Sequence, residues 1–414
     1  MILYYIMSLS MVFLSTIAIL YIFKNLFHPI SILTILYSTA ILVSLLFERY
    51  FNPSFISISI IYISLFTMSI GGVIASSFLK TKYIRKSNNK SINPSFSSLS
   101  FYMLHTLYLL VLVVVWYYFS LNAIDFISKG LGVGDYIYLR RIQSLSGIRI
   151  ISDSLYRVIV NIQLFAYPLI LIMIYIGLIS KKKKYILLSF LLLSPIVVID
   201  FIMGSRGSYI FTIMSIIFLL YYLNFINIKQ IIVVVVLLII LFIFTGQLRN
   251  EFSFNRFVDY FSGPIIAFSQ FIENSDSIHI GNTFGFFEKT FDFITFNLKD
   301  PVNYSYNMPG VIDSSVSISN VSRVNVYTQF AVVIKHLGYI GLFIYSLISG
   351  LFISFLFERR YKMIYLILLA YYMPFFIFGF FHEFLANEVA VIFRFIILYI
   401  LIRFKLKINY NPAL

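Results

Sequence analysis

The chain contains no cysteine, so thiolate nucleophiles, thiolate metal sites and disulfides are excluded. Any chemistry has to come from arginine, histidine, carboxylates, hydroxyls and backbone. Arginine is the most informative of these. Lysine dominates the short basic clusters between apolar runs, whereas Arg49, Arg140, Arg141, Arg206, Arg249, Arg256, Arg323 and Arg394 fall in the longer polar segments or inside apolar runs. A topology signal needs only positive charge, but a guanidinium adds a planar fork that grips phosphate or carboxylate through two hydrogen bonds. Such a set suits an anionic ligand. The competing reading is ordinary loop arginines neutralised by nearby acids.

Particular positions sharpen this. Gly204-Ser205-Arg206-Gly207 joins two apolar runs through a short turn, which holds Arg206 at a membrane boundary between rigid spans. Asp200 precedes it in an otherwise apolar run, and an intramembrane carboxylate ordinarily has a partner. Arg206 and Arg394 are the expected partners, a structural ion pair being the plainer alternative. Arg249 and Arg256 follow the next apolar run among Phe252, Phe254, Phe257, Tyr260 and Phe261, which read as an interfacial aromatic belt. Residues 323–341 predict a short helix on or dipping into the membrane, then a break at Gly338/Gly341 into a span. His336 at that break is the candidate general base, beside Lys335; Asn325 and Tyr327 support the same stretch. His105 reads as packed and His28 as cytoplasmic. His382-Glu383 lacks the second histidine of a zinc-protease motif, with Ala386 in its place, and no metal site is expected. The alternating Gly130, Gly132 and Gly134 follow no strand, so they predict a flexible turn and not a dinucleotide site.

The elements that must position these residues are membrane spans. Of 414 residues, 60% are hydrophobic and only 11% charged, a composition outside the soluble globular range. The net charge of +15 raises nucleic-acid binding as a reflex reading, but the basic clusters between apolar runs are explained by the positive-inside rule, and no nucleic acid is expected. Runs long enough to span, roughly 20 residues each, number about eleven. They fall near 2–23, 30–47, 55–79, 99–121, 158–180, 185–203, 207–225, 231–247, 335–357, 363–381 and 388–402. The first lacks a basic flank and cleavage site and reads as a retained helix. Alternation through eleven spans puts Lys80 to Lys90, Lys181 to Lys184, Arg359 to Lys362 and Arg403 to Lys407 on the cytoplasmic side. The expected fold is therefore an all-α polytopic membrane protein in which residues 1–414 form a single integral membrane domain. Two extracytoplasmic loops are expected, 122–157 and a large one with short helices, 247–334, between the eighth and ninth helices. Within the latter, 262–322 is rich in Ser, Asn, Asp and Gly with Pro264, Pro301 and Pro309, which is turn chemistry.

Gly204-Ser205-Arg206-Gly207 between central helices, the large outer loop, and Asn325-Val326-Tyr327-Thr328 followed by Gly338 and Gly341 together resemble the O-antigen polymerase family (Wzy-type oligosaccharide repeat-unit polymerases). The chain departs from that family where an Asp-Phe-Gly tripeptide is common, having His336-Leu337-Gly338. The resemblance implies a GT-C-like membrane glycosyltransferase of the bacterial inner membrane that works on its periplasmic face without metal or other cofactor. It implies undecaprenyl-diphosphate-linked glycans as donor and acceptor, and a chain-length regulator (polysaccharide co-polymerase) as partner. Arg206, Arg249 and Arg323 would contact the diphosphate, Arg256 would assist, and His336 would take the acceptor proton. An O-antigen ligase acting on lipid A core and a lipid-linked oligosaccharide flippase are the alternatives.

Overall fold

The computed structural model describes residues 2–46, 52–80, 98–145, 150–202, 206–231, 254–273, 316–317, 323–324, 328–377 and 392–400, with scattered positions from 233 to 240. It is an all-α, multi-pass membrane protein. Six of the described helices are long and apolar enough to cross a bilayer, and Ala166–Ile179, Ile210–Tyr222 and Met363–Ile377 are shorter apolar helices. The described residues gather into two compact units.

The first unit contains α1 (Ile2–Phe23), α2 (Pro29–Leu46), α3 (Phe55–Lys80), α10 (Phe254–Glu273), the two-residue strands β1 (Val316–Ser317) and β2 (Arg323–Val324), and α11 (Gln329–Glu358). Local chemistry sets the ends. Pro29 opens α2, where its missing N–H would have had no partner anyway. Ser54 caps α3 by accepting the Ser57 N–H at 3.2 Å. Within the spans, Thr16, Ser38 and Tyr62 tie α1, α2 and α3 together through hydroxyl contacts of 2.6 and 2.8 Å, in an environment where no water competes.

The closest packing in this unit is between α3 and α11, which run parallel. Gly71 lies against the backbone of Leu347 and Leu351, Gly350 against that of Met68, and Ser76 donates to Glu358 at 3.1 Å. Gly72 faces the Ser354 hydroxyl, with Phe23 and Ile30 also at its Cα. Small residues at Ser346, Gly350 and Ser354, one helical turn apart, let the two backbones approach.

The break expected near Gly338 is present: α11 is two helices joined at that residue, whose φ of 67° and ψ of −174° are open essentially to glycine alone. Gly338→Ala is expected to lower stability by about 1–3 kcal/mol. Thermal unfolding of the purified protein would read this, and an unchanged midpoint would mean that the joint relaxes freely.

His28, in the turn between α1 and α2, is 3% exposed. Burial, with the Arg360 guanidinium nearby as the lesser cause, pushes its pKa from 6.5 down to about 3. Between these values the unfolded chain takes up a proton that the folded one does not, so this group makes stability fall as pH drops from 6.5 towards 3. Melting curves across that range should therefore fall more steeply for the wild-type protein than for His28→Phe. Parallel curves would contradict the burial of a neutral imidazole.

The second unit contains α4 (Ser98–Lys129), α5 (Val133–Leu145), α6 (Asp153–Gln163), α7 (Ala166–Ile179), α8 (Lys183–Ile202), α9 (Arg206–Tyr222) and a helix over 392–400. Gly130, with φ 59°, ends α4 in the left-handed conformation. Lys181 and Asn224 adopt the same conformation after α7 and α9. There Lys182 N–H reaches back to Gly177 O and Phe225 N–H to Leu220 O, closing both helices. Asn227 and Gln230 then exchange side-chain and backbone hydrogen bonds as a capping box for the next helix. α12 (Met363–Ile377) completes the described elements.

Two sequence expectations need correction and a third, the segment 122–157, gains detail. The run 158–180 is not one span: it divides at Leu164-Phe165 into α6 and the buried α7. Mean hydropathy over that window joins an apolar helix to an amphipathic one. Residues 122–157 are largely helical, since α4 continues to Lys129 and α5 follows directly. Residues 262–273 belong to α10 and not to a turn-rich loop. The helix runs through Pro264, and Ser262 to Ser269 are all buried, so tertiary packing outweighs the local turn propensity.

Candidate functional site

In the first unit, the elements that carry the residues sequence brought forward pack on one another. α10 carries Arg256 in its first turn and the buried Asp259, and it packs on both β2 and α11. Arg323 opens β2, its backbone paired with Ser317 across the short ladder. Ser269 of α10 accepts the Ser54 N–H at 2.6 Å, which anchors the helix at the start of α3.

The first segment of α11, ahead of the Gly338 joint, is buried from Gln329 to Ile334. Gln329 accepts the Tyr345 hydroxyl at 3.4 Å, and Phe330 stacks on Tyr37 with ring centroids 5.2 Å apart. These contacts fix the segment on α2 and on the second half of its own helix. His336 is 4% exposed, so an acceptor hydroxyl reaches this imidazole only when the local packing opens. Ser262, Thr328 and Gln329 are also fully buried, and each has a polar atom without a protein partner. These unsatisfied polar atoms lie in α10 and at the start of α11, and sequence offered no means of detecting them.

In the second unit, Asp200 near the end of α8 is buried and accepts the Tyr167 hydroxyl of α7 at 3.2 Å. Sequence pointed to Arg206 or Arg394 as its partner. The tyrosine was missed because it is distant along the chain and sits in an unbroken apolar run. Arg206 begins α9, and Arg394 is buried in the helix over 392–400. Arg249, Asn325 and Tyr327 lie outside the described residues.

A second polar cluster in this unit was not anticipated. Asp125 near the end of α4 pairs with Lys129 at 2.9 Å and accepts the Tyr136 hydroxyl of α5 at 2.6 Å. Burial and the Asp125 carboxylate push the Tyr136 pKa up. Arg140 is 3% exposed and donates to Gln143 at 2.8 Å. The cluster pins α5 beside the end of α4. Among the described residues no group of His, Asp and Glu side chains is arranged to hold a metal ion.

Compared with protein families, curated proteins and solved structures, the chain matches none.

Proposed function

We propose that this protein is a membrane glycosyltransferase that polymerises undecaprenyl-diphosphate-linked oligosaccharide repeat units into O-antigen or a related surface polysaccharide. The observation that carries most weight is the grouping in the first unit: α10 with Arg256 packs on the strand that bears Arg323 and on the helix that bears His336. Arginine-bearing elements packed on a polar, glycine-jointed segment suit a lipid-linked anion better than they suit a passive scaffold.

On this reading the reaction is a displacement at the donor's anomeric carbon. The acceptor hydroxyl attacks, the new glycosidic bond forms with inversion, and the bond to the diphosphate breaks. Arg206, Arg249 and Arg323, assisted by Arg256, stabilise the charge that accumulates on the departing diphosphate. His336 takes the acceptor proton. No acid is needed for a leaving group that is already a diphosphate. Asp200, Arg394, Asn325 and Tyr327 support the arrangement. On this reading the working face is on the periplasmic side of the bacterial inner membrane, which the positive-inside pattern of the basic clusters supports, and a chain-length regulator is the expected partner.

The buried Asp200–Tyr167 contact inside apolar helices favours a second reading, transport of a lipid-linked glycan, because intramembrane carboxylates commonly mark translocation routes. Acceptor dependence separates polymerase from ligase. Membranes that contain the protein and the lipid-linked repeat unit should yield a ladder of chain lengths without lipid A core. Product that appears only when lipid A core is added, and as a single transfer, would identify a ligase instead.

A further inference from the structure

The first unit holds a cavity of about 350 Å³ at the Glu358 end of α11, away from the Gln329 segment. That is the size range of small-molecule sites. It lies where α1, α3 and α11 end, at the level where a bilayer's hydrocarbon gives way to head groups. Ile22, Phe23, Val73 and Phe357 form an apolar wall, and Asn25, His28, Glu358 and Arg360 supply the polar groups.

His28 is the group that most requires a ligand. Its ring stacks on Phe23 at 3.9 Å and meets the edge of Phe357 at 4.9 Å. Nδ1 accepts the Ile30 N–H at 3.4 Å, so the neutral ring carries its proton on Nε2. That N–H is buried with no acceptor from the protein, an arrangement that costs free energy until an oxygen is supplied, and at 3% exposure the ring meets a ligand oxygen when the local packing opens. The Asn25 side-chain oxygen is already engaged by the Phe27 N–H at 2.9 Å, which leaves its amide hydrogens as donors. Arg360 lies 4.0 Å above the Phe357 ring and donates to the Phe357 carbonyl at 2.5 Å; its remaining N–H groups have no carboxylate partner among the described residues. These three residues are all donors. Glu358 is the opposite: one oxygen accepts from Ser76 at 3.1 Å and the other is left for a cation.

Donors for an anion and a carboxylate for a cation, set against an apolar wall, complement a zwitterionic amphiphile. We propose that this cavity binds the phosphoethanolamine head group of a membrane phospholipid, with Arg360, His28 and Asn25 on the phosphate oxygens and Glu358 on the ammonium. The apolar wall receives the glycerol end of the acyl chains. The assignment stands whether or not the chain is a glycosyltransferase.

The test is thermal unfolding of the detergent-purified full-length protein, titrated separately with phosphatidylethanolamine, phosphatidylglycerol, diacylglycerol and inorganic phosphate. Phosphatidylethanolamine should raise the midpoint saturably, phosphatidylglycerol less, and the other two not at all. Arg360→Gln and His28→Phe, the latter keeping the stack on Phe23, should each weaken phosphatidylethanolamine binding by about ten-fold, the loss of one charge-assisted or buried hydrogen bond. Glu358→Gln should abolish the preference for ethanolamine over glycerol, and Lys129→Gln should change nothing. Equal shifts with diacylglycerol or free phosphate, or variants that bind the lipid as the wild-type protein does, would overturn the proposal.

Discussion

Gly350→Leu is expected to prevent α11 from docking on α3. A side chain at Gly350 would be driven into the Met68 carbonyl, and one at Gly71 into the Leu347 carbonyl. Neither obstacle is the end of a flexible side chain, so relief requires the helices themselves to separate. Overpacking in a core ordinarily costs about 1–3 kcal/mol, occasionally more, and an obstruction by backbone belongs at the upper end. The cost spreads because the same interface carries the Ser76–Glu358 hydrogen bond and holds Gly72 against Ser354. The fraction of protein that stays monodisperse after extraction into mild detergent, followed against temperature, measures the effect. Gly350→Leu and Gly71→Leu should both fall far below wild type, while Ser349→Ala, which removes only a hydroxyl, should stay close to it. Wild-type behaviour of both leucine variants would mean that α3 and α11 do not meet at these glycines.

The second large effect is expected in the chemistry. Arg206→Lys should reduce polymer synthesis by about 10²–10³-fold, the range seen when one preorganised donor to a developing oxyanion is removed. Lysine keeps the charge and loses the fork. Expression and melting temperature should be preserved, since Arg206 begins α9 and an exchange of one long cation for another at a first turn disturbs little. Rates from gel-resolved product, normalised to extracted protein, provide the measurement. A variant that polymerises at the wild-type rate would remove Arg206 from the site.

The spans of the first unit were legible in sequence because each is an apolar run bounded by a breaker: Asn25 and Pro29 between α1 and α2, Pro53 and Ser54 before α3. The Gly338 joint was legible for a related reason, a glycine at a change from polar to apolar pattern. What sequence hid were the features decided by packing. Pro264 and its serine neighbours read as turn chemistry but are helical in α10, where burial overrides propensity. His28 read only as cytoplasmic, with no sign that its ring is enclosed by Phe23 and Phe357, the latter contributed by a distant helix. Tyr167 could not be distinguished from the other aromatics of an apolar run until α7 and α8 packed side by side. The close approach of α3 and α11 depends on Gly71 and Gly350 facing each other, which neither local pattern specifies alone.

The most direct test of the functional account is a reaction of purified, detergent-solubilised protein with its lipid-linked repeat unit and no added metal, resolved by glycan length. A polymerase gives a ladder of lengths that Arg206→Ala abolishes. Absence of any ladder, together with protein-dependent movement of the lipid-linked unit between the leaflets of a vesicle, would contradict the account and identify a transporter.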